Sequence, residues 1–279
     1  MPKSQPHFIK SYQSPKVETI LEQGSSMIME DWLVQENAVF AVLDGATSLN
    51  DQHFKGKTGG QWAAEIGAKH LSTSRGPLSF RVQKANIDIR KSMKSSKTDL
   101  GGGESRWSAS LAGIRIHQDK IEWTQLGDCR ILFLYKDGQH ALAHIPVNHD
   151  RETLSLMAEI GGRDVAMVDR RMQEQLVKVR RSANQCYGVL NGDPAAITFL
   201  KSGFHSLENI SDILIFTDGL LLPGNEDQAM IQTASLYRKG GLSLVHSHLR
   251  QLQKNDPDCL TYPRFKMCDD VSALALSFS

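Results

Sequence analysis

The chain has 279 residues, with 32 Lys+Arg against 31 Asp+Glu and a formal net charge of +1. That length can bury a sizeable core, and the balanced charge supplies no overall field to draw nucleic acid or an acidic membrane. No apolar stretch reaches the ~18 residues needed to span a bilayer, and the opening Met1-Pro2-Lys3-Ser4-Gln5-Pro6-His7 lacks the apolar core of a secretion signal, so the expected location is cytoplasmic, with no nucleic acid and no membrane as partner. In chain order, residues 1–15 carry three prolines among polar residues and read as a loose or edge-hugging leader to a domain spanning 16–279. An extended segment over 26–35 and a strand ending at Asp44 follow. Helical periodicity then sets in over 57–71, with Trp62, Ala63, Ile66, Gly67 and Leu71 on one face, and a second helix is expected over 78–93. Asp99-Leu100-Gly101-Gly102-Gly103-Glu104 breaks it. Strands are expected over 106–116, 120–126 and 129–135, and Asp137-Gly138 turns a hairpin into 140–144. The polar stretch 150–209 reads as an excursion from the core, with a helix over 152–160 closed by Gly161-Gly162 and a turn at Asn191-Gly192-Asp193-Pro194. A strand around Ile213, helices over 227–237 and 242–253, and a last strand running to Phe278 complete the chain. The last strand must return to a sheet begun near the start, which fits an α+β sandwich better than regular βαβ alternation.

Three apolar runs carry an aspartate at one end. Val39-Phe40-Ala41-Val42-Leu43 precedes Asp44-Gly45, Ile213-Leu214-Ile215-Phe216-Thr217 precedes Asp218-Gly219, and Asp269-Asp270 leads into Val271-Ser272-Ala273-Leu274-Ala275-Leu276. Such runs read as buried strands, so each carboxylate should emerge at a sheet rim. If the rims converge, the acids cannot all stay ionised without a cation, and all-oxygen ligation suits a hard divalent ion such as Mg²⁺ or Mn²⁺. Cys129, Cys186, Cys259 and Cys268 are scattered without a CxxC pair; they argue against a zinc ribbon or a disulfide framework and read as small buried hydrophobes.

Taken in order, Met29-Glu30-Asp31, Asp44-Gly45, Gly127-Asp128-Cys129-Arg130, Thr217-Asp218-Gly219 and Asp269-Asp270-Val271-Ser272 resemble the successive motifs of the metal-dependent protein phosphatases of type 2C, bacterial-like members included. The resemblance runs from about Gly24 to Phe278. It implies a four-layer α-β-β-α sandwich of two antiparallel sheets flanked by helices, with a binuclear Mn²⁺ or Mg²⁺ centre at one end. It also implies hydrolysis of phosphoserine or phosphothreonine in phosphoproteins by a metal-bridged water, opposing a serine/threonine kinase. Carried over residue by residue, Asp44 would bridge the ions and the Gly45 carbonyl would bind one, while Asp218 and Asp269 would ligate the other. Glu30 and Asp31 would act through metal-bound water, Asp128 would help hold a further, weaker ion, and Asp270 either ligates or only orients its neighbour. Asp44, Asp128 and Glu30 thereby become the expected catalytic set.

Two departures matter. Eukaryotic members of the family often carry a histidine after the first Asp-Gly, which bacterial-looking members commonly lack, and an arginine four residues before the first acid; here these are Ala46 and Ser26. Another group must meet the phosphate, and Thr47, Ser48, Arg106 and Arg130 all remain open. A second function class is a catalytically weak relative serving as a regulatory module that binds a phosphoprotein or small ligand. Retention of the mutually repelling acids favours the enzyme. An aspartyl-nucleophile phosphatase is disfavoured because neither strand-end aspartate lies in a DxD arrangement. Gly56-Lys57-Thr58 is no phosphate-binding P-loop, since Asp51 occupies the position where its first glycine belongs. His144, His149, His246 and His248 lack metal-motif spacing and read as solvated, as do Arg170-Arg171 and Arg180-Arg181.

Overall fold

The computed structural model describes residues 14–46, 49, 52–166 and 168–278. Its strands are β1 Lys16–Glu22, β2 Trp32–Glu36, β3 Val39–Gly45, β4 Ala109–Ile116, β5 Lys120–Leu126, β6 Arg130–Tyr135, β7 His140–Leu142, β8 Lys201–Ser206, β9 Ile210–Phe216 and β10 Val271–Ser277. Its helices are α1 Gly59–Thr73, α2 Leu78–Ser95, α3 Arg151–Ile160, α4 Arg163–Ala166, α5 Arg170–Arg181, α6 Ala196–Phe199 and α7 Glu226–Lys254. The strands pair antiparallel in two five-stranded sheets, ordered β1-β10-β9-β6-β7 and β2-β3-β4-β5-β8.

The central strands are apolar on both faces, which is why they read as continuous hydrophobic runs. In β3, Val39, Ala41 and Leu43 pack with Ala63, Ala64 and Leu71 of α1 and Val82 and Ile89 of α2. Phe40 and Val42, on the opposite face, join Ile131 and Phe133 of β6, Ile213 and Ile215 of β9 and Leu274 of β10. The other sheet repeats the alternation: Leu214 and Phe216 of β9 and Val271, Ala273 and Ala275 of β10 turn outward against Ala234, Val245 and Leu249 of α7. The layers are therefore α1 with α2, sheet, sheet, and α7, the α-β-β-α sandwich expected from the motifs. Antiparallel pairing of Phe216 with Ala273 sets the end of β9 beside the start of β10, and the Glu30 segment, bonded to both Gly45 and Asp270, brings the end of β3 to the same rim.

Elements with weaker patterning differ from expectation. The anticipated leader lies, except for Ser14 and Pro15, outside the described residues, and β1 forms directly after it by pairing with β10 from Lys16↔Ser277 to Glu22↔Val271. Within the stretch 150–209, α3, α4 and α5 bury a small cluster of Met157, Ala166 and Met172, whereas Lys201–Ser206 is an edge strand paired with β5. By contrast, the two helices expected over 227–237 and 242–253 are both present as the halves of α7, separated by a non-helical break at Gly240-Gly241, where Gly241 adopts φ +68° and the Leu242 N–H is capped by Glu18 Oε2 at 3.1 Å. Cys129 and Cys259 are buried as expected; Cys186 is exposed and Cys268 partly exposed. Among the described residues no helix is long and apolar enough to cross a membrane.

Candidate active site

Asp44 leaves the end of β3, opposite Ser110 of β4. Asp218 stands in the tight turn that follows β9, Asp269 and Asp270 lead into β10, Glu30 and Asp31 lead into β2, and Asp128 sits between β5 and β6. The rim thus gathers the acids that the sequence separates. Burial holds the Asp44 carboxyl well above the usual range, with Asp218, Asp31, Asp128 and Asp269 raising it further. Burial likewise raises Asp31, to which Asp218, Asp269 and Asp270 add. Burial pushes Asp218 up to about 7, with Asp128 and Asp269 adding to it and Arg130 opposing. Carboxylates shift one another in this way only when they share a poorly solvated spot.

Each acid is fastened by the fold. The Thr58 hydroxyl, which N-caps α1, donates to Glu30 Oε1 at 2.5 Å, and Gln61 completes the capping box while donating to the Met29 carbonyl at 3.0 Å. The start of α1 therefore positions Glu30. Thr217 donates to Asp31 Oδ2 at 2.7 Å. Asp270 accepts from Gly24 N at 2.8 Å and from Glu30 N at 2.9 Å, so both of its oxygens hold the segment that carries Glu30 and Asp31. The Gly45 N–H donates to the Glu30 carbonyl at 3.2 Å, and a Cβ at Gly45 would meet Glu30 O and Gly60 at 2.7 Å. Only glycine lets these segments approach so closely.

Asp128 faces a group that sequence reasoning assigned to solvent. His149 is 17% exposed, stacks on Tyr187 with ring centroids 3.9 Å apart, and lies 4.0 Å from Asp128 and 3.6 Å from Asp150. One ligand atom from each of Asp128, His149 and Asp150 lies within 4.8 Å of the others. Burial works against ionisation of Asp128, but His149, Ser110 and Arg130 overcome it and lower its pKa. Asp128 Oδ1 is buried with no hydrogen-bond partner among the described residues. A crowded set of oxygen donors, two of them fixed by threonines and one buried without a partner, fits hard divalent cations.

Of the groups left open for the phosphate, Thr47 and Ser48 lie outside the described residues. Arg106 bonds Asp193 at 2.6 Å and the Leu100 carbonyl, and it lines a separate cleft with Gly101, Gly102 and Gly103. Arg130 reaches the acids but is engaged bidentately by Glu226 at 2.7 and 2.9 Å and by the Asp128 carbonyl at 2.6 Å. Sequence reasoning missed Lys266, whose Nζ lies 2.7 Å from Asp269 Oδ1. Burial would lower its pKa, but Asp269, Asp44 and Asp270 reverse that and raise it, keeping the ammonium charged. Asp218, Asp269 and Lys266 line one side of a cleft of about 710 Å³, whose other walls include Arg151 and Leu154 of α3 and Leu249 of α7.

The sequence matches the family model for Protein phosphatase 2C over residues 29–253. The chain belongs to the protein phosphatase 2C family. The resemblance carried by the five motifs is thus borne out, and the fold agrees with it. The Mycobacterium tuberculosis serine/threonine phosphatase PstP/Ppp superposes with a TM-score of 0.59 at 15% identity, over 95% of this chain and 99% of that one. The catalytic domain of PstP in complex with two manganese ions gives 0.59 at 15% identity, over 95% and 98%. Serine/threonine phosphatase Stp1 from Staphylococcus aureus gives 0.60 at 12% identity, over 99% and 100%. No curated protein sequence matches the chain.

Proposed function

We propose that this phosphatase 2C family member is a Mn²⁺- or Mg²⁺-dependent hydrolase of phosphoserine and phosphothreonine in phosphoproteins, opposing a serine/threonine kinase in the cytoplasm. The observation that carries this reading is the convergence of Asp31, Asp44, Asp218 and Asp269, from four separate segments, into one mutually repelling cluster. A protein released from catalysis has no reason to keep that repulsion. The manganese-bound PstP domain, with the same fold, supports a two-ion centre.

In this reading Asp44, the Gly45 carbonyl, Asp218 and Asp269 would hold the ion pair, Glu30 and Asp31 would act through water, and Asp128 would help hold a further, weaker ion with His149 and Asp150 in reach. When bound, such ions supply Lewis acidity toward the phosphoryl oxygens and a lowered pKa for water. The chain's own part is pre-setting: Thr58 fixes Glu30, Thr217 fixes Asp31, and Asp270 fixes the backbone between them. These acids are oriented by the fold before any ion arrives, which reduces the reorganisation that binding must drive.

Hydrolysis of p-nitrophenyl phosphate and of a phosphothreonine peptide, with Mn²⁺, with Mg²⁺ and after chelation, tests the reading. The expected activity requires the metal, resists okadaic-acid-type inhibitors as the family resemblance implies, and falls by more than about 100-fold in Asp44→Asn or Asp218→Asn, since outer partners alone are worth 10–100-fold. A wild-type protein that binds Mn²⁺ yet hydrolyses neither substrate would instead be a regulatory module.

A further inference from the structure

Three cations outside the family motifs line the cleft beside the acids, Arg151, Arg264 and Lys266; Arg264 is spent on Asp256, and Lys266 is the one bonded to Asp269. Where an arginine is expected four residues before Glu30 the chain has Ser26, and Arg130, the buried guanidinium nearest the acids, is engaged by Glu226 and the Asp128 carbonyl. Lys266 arrives instead from the other end of the chain, on the loop that joins α7 to β10. Its side chain is 20% exposed, and it lines the cleft together with Asp218 and Asp269. An ammonium has three N–H donors, and Lys266 spends one of them on Asp269 Oδ1 at 2.7 Å. Its remaining donors are available to an anion beside the acids.

The loop is built to hold that position. Asp256 accepts from the backbone N–H groups of Leu260, Thr261 and Tyr262 and from Arg264 Nη1 at 2.7 Å. Arg264 also donates to the carbonyls of Tyr262, Met267 and Gln253. These bonds bracket Lys266 on both sides, and Asp269 orients its head group. A lysine so restrained gives up little side-chain freedom when it meets a ligand, the preorganisation that distinguishes a binding group from a solvated one.

We propose that Lys266 is the phosphate-binding cation of this protein: its ammonium bonds Asp269 and a phosphoryl oxygen together, and so replaces the arginine absent at position 26. The inference rests on the phosphatase reading for its substrate, a phosphate monoester dianion. The geometry also separates the two tasks of the loop, since Asp269 keeps its second oxygen for an ion while the first is engaged by the lysine. Lysine presents a compact charge rather than a planar fork, so phosphate is held by attraction more than by bidentate geometry.

Calorimetric titration of inorganic phosphate into the Mn²⁺-loaded full chain, compared among wild type, Lys266→Met, Lys266→Gln and Lys266→Arg, tests this without requiring turnover. Lys266→Met and Lys266→Gln should weaken phosphate at least about tenfold, the loss expected for one charge-assisted bond, with Mn²⁺ affinity unchanged within about threefold and Lys266→Arg close to wild type. On phosphopeptide the loss should fall on KM more than on kcat. Phosphate affinity unaffected by Lys266→Met and Lys266→Gln would overturn the proposal, and so would Mn²⁺ binding tightened about tenfold at constant phosphate affinity, the mark of a counter-ion competing with the metal. No phosphate binding by the wild type would overturn it as well. A wild type that binds phosphate through Lys266 but turns over no substrate would overturn only the phosphatase reading.

Discussion

The hydroxyl of Thr217 donates to Asp31 Oδ2 at 2.7 Å and accepts the Ser272 N–H at 3.0 Å, joining segments that lie 186 and 55 positions away. Thr217 is fully buried, so nothing else can take its place. Its hydrogen bond is the largest influence that lowers the pKa of Asp31 against burial and the neighbouring acids. Thr217→Val keeps the shape and removes the hydroxyl. The expected result is a loss of about 1–3 kcal/mol in urea unfolding, from two buried polar groups left unpaired, and Mn²⁺ binding roughly tenfold weaker. Thr217→Ser should restore most of both.

The legible part of this protein is the part buried on both sides. β3, β9 and β10 lie inside their sheets with helices on one face and a second sheet on the other, so their apolar runs are unbroken and end abruptly at Asp44, Asp218 and Asp270. β8, with the sequence KSGFHS and mostly exposed or half-exposed side chains, is an edge strand whose pairing with β5 leaves no periodic trace. α5 buries only Met172 fully along RRMQEQLVKVRR, so its polar residues outweigh its stripe. The same physics divides the site. The acids sit at strand ends and follow from local pattern, whereas Lys266 and His149 arrive on loops whose paths are set by side-chain contacts that no periodicity encodes, such as Arg264 with Asp256 and His149 with Tyr187. Asp137-Gly138, an ordinary hairpin turn between β6 and β7, has the same local sequence as Asp44-Gly45 and Asp218-Gly219.

Metal binding should depend steeply on pH. Asp218 has a folded pKa of about 7, and Asp44 and Asp31 also lie well above the usual carboxylate range. Because the folded state holds these protons more tightly than the unfolded chain does, they favour folding of the metal-free protein at low pH, and that contribution is lost as pH rises through about 4 to 7. A divalent ion needs the ionised form and acts in the opposite sense. The Mn²⁺-induced rise in melting temperature should therefore be small at pH 5.5, grow through pH 7 and level off above pH 8. Calorimetry in buffers of different ionisation enthalpy should show protons released on binding near pH 6.5; a pH-independent shift without proton release would contradict the shared acid cluster.

Gly219 is required for space and not for backbone conformation, because an added Cβ would overlap the Asp270 carbonyl oxygen. The turn carrying Asp218 and the approach to β10 carrying Asp269 touch at this glycine. Gly219→Ala must force them apart, which should cost about 1–3 kcal/mol as overpacking does and displace Asp218 from Asp269. Mn²⁺ affinity should fall at least about tenfold, as for a lost supporting partner. Gly138→Ala, in the hairpin turn, is the control: among the described residues beyond its two chain neighbours no heavy atom lies within 4 Å of the position its methyl group would take, so any cost there is confined to its φ of +90° and Mn²⁺ affinity should be unchanged.

Asp256 tests whether the loop before β10 is a positioning device. Its side chain is nearly buried, yet three backbone N–H groups and Arg264 overcome the penalty of burial and hold its pKa down to about 2. A carboxylate depressed in the folded state contributes stability that is present above its unfolded pKa near 4 and lost as pH falls through about 2. Asp256→Ala leaves Arg264 without its carboxylate and frees the backbone of 260–262, and removing one partner of a buried ion pair costs about 3–5 kcal/mol, less here because Arg264 keeps its carbonyl partners. The decisive measurement is hydrogen exchange on the Mn²⁺-loaded protein: protection should be lost over 256–267 while β3 and β9 keep theirs. The KM for phosphopeptide should rise in step, because Lys266 is then no longer held against Asp269, and loss of protection throughout both sheets would show instead that Asp256 supports the whole fold.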